Sequence, residues 1–139
     1  MSAFNDISVA LNQRLDAYAT ANSRDVAFEN IKHEPTTGTM YLRPTVLPAD
    51  TEQAGIGASG KEQHQGFFQI DVFSPIDDPK ATALNEADSI ADYFSRELTL
   101  TYNGISVRLR EISMGQASRE SAWFMVPVLI DYYSFTAAR

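Results

Sequence analysis

Ile7, Leu11, Leu15 and Tyr18 recur every three or four residues, with Asn12, Gln13 and Asp16 facing away. That spacing lines apolar side chains along one stripe and predicts an amphipathic helix over residues 3–21. After Asn22-Ser23-Arg24 the period changes. Val26 and Phe28 fall on one face and Glu29 on the other of a short predicted strand, 26–31, with Pro35 and Gly38 closing the segment as a turn. Residues 40–47 predict a second strand, placed at a sheet edge because Pro44 within it and Pro48 after it lack amide donors. Residues 66–74 alternate Phe68, Ile70 and Val72 against Gln69 and Asp71, a third and more central strand.

Pro75 and Pro79 bracket a turn, and a second helical period follows over 80–98. Its apolar face holds Leu84, Ala87, Ile90, Ala91, Phe94 and Leu98, while Glu86, Asp88, Asp92 and Arg96 are expected in solvent. Asn103-Gly104 marks a hairpin turn between β-prone pieces 98–102 and 105–112. A polar loop around 115–121 precedes the longest strand-like run, 123–135, with Val126, Val128 and Ile130 on one face. The expected fold class is α+β, in the order α-β-β-β-α-β-β. Each helix has a single apolar stripe to bury, so both are expected on one face of a mixed or antiparallel sheet of about four to five strands.

Between the second and third predicted strands lies a polar stretch, 49–65, with Gly55, Gly57 and Gly60 and a single large apolar residue, Ile56. A connection of that length without structure of its own is usually functional or disordered, so it is expected to be a flexible loop that serves a partner. The rest of the composition narrows the classes. A chain of 139 residues with 44% hydrophobic content suits one domain, 1–139, with its own core. A net charge of -7 opposes direct binding to nucleic-acid phosphates. The absence of cysteine excludes disulfides, thiolate zinc sites and cysteine nucleophiles. The first residues lack the basic and apolar regions of a secretion signal, and no apolar run is long enough to span a membrane.

Local motifs for catalysis are missing. His33 and His64 have no metal-ligand spacing and are expected to be exposed and non-ligating. Asp88 and Asp92 lie on the polar side of their helix, which suits solvated acids rather than a general acid/base pair. Asp77-Asp78 before Pro79 suits a turn or helix cap. The glycines match no phosphate-binding loop, and no Gly-x-Ser-x-Gly elbow is present. The expectation is a protein that is not an enzyme and uses neither cofactor nor metal.

One surface is anomalous. The face of 123–135 opposite the valines carries Trp123, Met125, Leu129 and Tyr133, interrupted by Asp131, and Phe73 adds an aromatic to the outward side of its own strand. A water-facing sheet surface is normally more polar. Either the sheet curls or a loop covers this face, or the patch is a protein interface with Arg108 and Arg110 as rim charges near Asp71 or Asp131.

Asn30, Pro35, Gly38-Thr39, Tyr41-Leu42-Arg43-Pro44, Leu47-Pro48-Ala49, Gly57, Gly60, His64-Gln65-Gly66, Gln69-Ile70-Asp71-Val72, Ala87-Asp88, Phe94, Trp123 and Pro127-Val128 together form a pattern covering nearly the whole chain. The pattern resembles bacteriophage tail proteins related to the tail terminator, minor tail protein U, of long-tailed siphophages. The resemblance implies a non-enzymatic virion subunit that assembles as a homohexameric ring on the finished tail tube, stops its polymerisation and offers a surface for head joining. Its implied partners are itself, the tail tube protein and a head-completion or connector protein, with no membrane and no direct nucleic-acid contact. Its implied location is the head-proximal end of the tail, after assembly in the host cytoplasm. The loop residues Asp50, Glu52, Ile56, Gly57, Lys61 and His64 would then order against a neighbouring subunit or the tube. Phe73, Arg108, Arg110, Trp123, Met125, Leu129 and Tyr133 would contribute to subunit contacts. Two other functions compete: a neck or head-completion protein of the same virion, and a small-ligand-binding α+β protein using Tyr41, Arg43 and His64.

Overall fold

The helical stripes and strand alternations resolve into two helices and seven strands among the residues that the computed structural model describes, 3–36, 38–53 and 61–137. In chain order these are α1 (Ala3–Asn22), β1 (Asp25–Val26), β2 (Tyr41–Gln53), β3 (Lys61–Pro75), α2 (Lys80–Phe94), β4 (Thr99–Tyr102), β5 (Ile105–Met114), β6 (Ser118–Glu120) and β7 (Trp123–Ala137). The strands form one mixed sheet in the order β1-β2-β3-β7-β5-β4, with β6 also paired to β7. Among the described strands the β1–β2 pair is parallel and the other pairs are antiparallel.

This corrects the expected fold of four to five strands in the order α-β-β-β-α-β-β. The observed order is α-β-β-β-α-β-β-β-β, and the sheet curls into half a barrel. The curl follows from where α1 sits, since it touches both β1 and β4, the two ends of the strand order. The pieces expected at 98–102, 105–112 and 123–135 each form a strand, whereas β6 and the added lengths of β2 and β3 come from polar stretches held by backbone pairing, which leaves no hydrophobic period to detect. Residues 49–53 extend β2 and 61–65 extend β3, so much of the expected loop is strand. Residues 54–60, with Ile56 and Gly57, lie outside the described residues. The predicted strand 26–31 shortens to Asp25–Val26. The Ala27 amide still donates to the Leu42 carbonyl, and Asn30 then takes a left-handed backbone, φ 58°, that ends extended structure.

The core follows the expected faces in part: α2 ends at Phe94, so Leu98 lies beyond the helix, and Leu84 and Ala91 are half-buried. Ile7, Leu11, Leu15 and Tyr18 of α1 are buried in one cluster with Phe68, Ile70, Val72, Val126, Val128 and Ile130, to which α2 adds Ala83, Ala87, Ile90 and Phe94. Glu86 departs from expectation: it is buried rather than solvated. A carboxylate in that position needs partners. Arg24 donates two hydrogen bonds of 2.9 Å to its two oxygens, and the Tyr18 hydroxyl donates a third at 3.0 Å. This network ties the end of α1 to α2. Burial first, then the adjacent Glu86 charge, pushes the Tyr18 hydroxyl up to about 12.

Past β1, the outer edge of β2 carries no further strand among the described residues, as Pro44 and Pro48 suggested. The Val46 amide points outward and donates to the Glu29 carboxylate at 2.8 Å. Residues two apart in a strand aim their nitrogens the same way, so Pro44 and Pro48 put donor-less nitrogens on that same open edge.

Candidate interaction surface

Strand register places the anomalous residues together on the sheet face away from the helices. Tyr41 lies beside Phe73 and then Met125; Thr45 beside Gln69 and Leu129; Leu47 beside Phe67 and Asp131; Gln65 beside Tyr133 and Arg108. That face has two halves with different character.

The half near Trp123 is closed by its own side chains. Tyr41 stacks on Phe73 at 4.6 Å, Trp123 meets Tyr41 edge-on at 5.0 Å, and the His33 ring lies 5.1 Å from Tyr41. The Arg43 guanidinium sits 4.8 Å from the Phe73 ring centre and donates to Asp71 at 2.9 Å, while Gln69 donates to the other Asp71 oxygen at 2.7 Å. Phe73 is only 2% exposed. It therefore supports the face from beneath, with Trp123 and Met125 half-buried around it. Asp71 is satisfied by Arg43, not by Arg108 or Arg110.

The other half is open. Leu47, Phe67 and Phe135 are 41%, 43% and 45% exposed, beside half-buried Leu129 and Tyr133. Arg110 lies 4.6 Å from the Tyr133 ring centre and 3.5 Å from both Asp131 and Gln65. Arg108 is exposed and pairs with Tyr133 in register. Of the charge pairings considered, Arg110 with Asp131 is the one present. Leu47, Phe67 and Phe135 were not anticipated. The Phe67-Phe68 doublet was a usable signal, because the two-residue strand period must send one ring to each face.

The residues expected in the 49–65 loop separate. Asp50 and Glu52 on β2 and Lys61 on β3 are exposed. His64 is buried and lies in β3, correcting the expectation of an exposed loop histidine. Its Nδ1 is 3.1 Å from the Thr51 hydroxyl and its Nε2 is 2.9 Å from the Thr136 hydroxyl, with Phe4 edge-on at 5.6 Å. His33 is half-buried and 2.7 Å from Asp25, so it too is less exposed than expected. Tyr41 and Arg43 lie on the outer face and His64 on the helix-covered face, so these three do not converge on one ligand site. A small cavity of about 90 Å³ adjoins His64, lined in part by Ile7, Pro48 and Tyr132. Among the described residues no group of three or more His, Cys, Asp or Glu is placed to hold a metal.

The sequence model of a family described as phage tail terminator protein matches residues 6–132. One solved chain that carries no functional name is 31% identical, with a TM-score of 0.76, covering 96% of this chain and 95% of its own length. A chain from the solved virion of a native gene transfer agent particle shares the fold at 20% identity and a TM-score of 0.62, covering 99% of each. No curated protein matches.

Proposed function

We propose a tail-terminating role from one premise: the chain belongs to the phage tail terminator family, whose pattern spans residues 6–132. It is a structural protein of the phage tail. Copies of it close into a hexameric ring on the end of the tail tube, stop polymerisation there and present a surface to the head-completion protein. The likeness to a gene transfer agent virion chain is in keeping with such a role. The open half of the outer face carries the reading. Exposed Leu47, Phe67 and Phe135 beside Arg108 and Arg110 combine apolar anchors with a charged rim, the makeup of an association surface.

Light scattering coupled to size exclusion tests self-assembly, with and without isolated tail tubes. Six 15.4 kDa subunits give 92.4 kDa, and a species of that mass, free or released from tubes, is expected. A chain that stays monomeric in both conditions contradicts the ring. Electron microscopy of tails assembled without the chain tests termination, with tubes of uncontrolled length as the expected result. Binding to purified portal complexes but not to tube ends would instead make it a neck protein.

A further inference from the structure

Two other exposed apolar side chains lie on the helix side of the β2 edge. Phe4, near the start of α1, is 60% exposed, and Ile31, beyond β1, is 66% exposed. Together with Val9, Phe28, Val46 and Pro48 they line an open groove of about 660 Å³ between α1 and β2. Among the described residues its polar lining includes Asp16 and Glu29 and no basic residue. The open half of the outer face differs, with protruding Phe67 and Phe135, the exposed cation Arg108, and Arg110 paired to Asp131.

The geometry points to a head-to-tail contact between two copies of this chain, in which Phe67 and Phe135 of one copy enter the α1/β2 groove of the next and Arg108 meets Asp16. The inference rests on the ring proposed above and adds which surfaces form it. Three observations favour a second copy as the occupant. An acid-lined apolar groove and a base-rimmed apolar patch occur on the same chain and complement each other in charge. The two surfaces differ, so each copy keeps one free face after binding and the contact repeats until it closes; a patch that paired with itself would stop at a dimer. Pro44, Pro48 and the Glu29-capped Val46 amide deny the β2 edge to an added strand, so an approaching copy must engage this edge through side chains.

The chain has no cysteine, so introduced cysteines report only on the designed contact. Ile31→Cys and Phe135→Cys proteins are prepared separately, mixed on tail tubes and oxidised. A disulfide-linked dimer in the mixture, with neither protein linking alone, is the expected result. Linking of Phe135→Cys to itself or to the tube protein overturns the pairing. A 92.4 kDa assembly without the mixed dimer also overturns the pairing and leaves the ring standing, whereas absence of any assembly by the unaltered chain on the same tubes removes both. A charge swap supplies a second readout. Asp16→Arg is expected to reduce assembly and the double change Asp16→Arg/Arg108→Asp to restore it, with equal helix content throughout; loss without rescue refutes the Asp16–Arg108 pair.

Discussion

At the scale of single residues, the parity of a strand decides which substitutions unfold the chain and which only disable it. Leu129 and Ile130 are neighbours of similar chemistry, yet Ile130 is fully buried under the helices and Leu129 is half-buried on the outer face. Leu129→Asp is therefore expected to keep normal helix content in circular dichroism while reducing assembly. Ile130→Asp should unfold the chain, because an unpaired carboxylate in the core costs several kcal/mol. Unfolding by Leu129→Asp would place that residue in the core instead. Tyr18 carries a prediction in pH. Its hydroxyl is raised from 10.0 to about 12, by burial and then by Glu86. Below pH 10 the group is neutral in both folded and unfolded chains, and its contribution is fully present. Between pH 10 and about 12 the unfolded chain releases the proton while the folded one retains it, so stability falls as pH rises. Tyr41 and Tyr132, also raised by burial, are unchanged in a Tyr18→Phe variant and cancel in the comparison. The variant should show a flatter decline of urea midpoint across that window, and identical slopes would refute the assignment. The inward sets Phe68, Ile70, Val72 and Val126, Val128, Ile130 were legible because alternation alone assigns a face. Burial of Glu86 and His64 was not, because their partners Arg24 and Thr136 stand 62 and 72 positions away.

Among the elements, the β2–β3 pair explains both a success and a failure of sequence reasoning. The prolines announced an edge because their missing donors are a local property of the residue. The reach of both strands into 49–53 and 61–65 was hidden, because polar residues such as Thr51, Glu52 and Lys61 are held there by cross-strand backbone pairing. The short β6 escaped for the same reason: Ser118 and Glu120 gain strand geometry only by pairing with Met125 and Trp123. The open face was half legible, since Leu129 and Tyr133 stood out while Leu47 and Phe135 needed the register to join them. Two substitutions test the edge itself. Replacing Pro44 and Pro48 together by Val would create outward amide donors on either side of Val46 and is expected to leave the fold intact but promote concentration-dependent β-aggregation, read by thioflavin fluorescence. Unchanged solubility would mean that the edge is guarded by something other than the prolines. Gly66→Ala should act differently. A Cβ at that position would lie 2.4 Å from the Leu47 carbonyl oxygen and 3.0 Å from the Pro48 Cα, so backbone rather than a flexible side chain must yield. A loss of about 1–3 kcal/mol, seen as a lower urea midpoint, is expected. An unaltered midpoint would show that β2 can shift beside its bulge without cost.

For the whole molecule, a curled sheet wrapped on α1 leaves one apolar region on its outer face and another at its β2 edge, and their separation supplies the two different surfaces that the proposed ring requires. This matters most for mixtures. A Leu129→Asp subunit damages the outer face but keeps the groove, so it can still accept one neighbour and then blocks the next addition. A closed ring tolerates no such gap. If incorporation is random and six subunits are required, an equal mixture of variant and unaltered chain leaves about one ring in 64 free of the variant, because closure demands every contact. Terminated tails should then fall far below half of the control number, and the decline with variant fraction should be steep rather than linear. Counting normal-length tails by electron microscopy across a mixing series measures that curve directly. A linear decline would mean that each subunit acts alone at the tube end, and it would remove the closed ring even if the monomer still bound the tube.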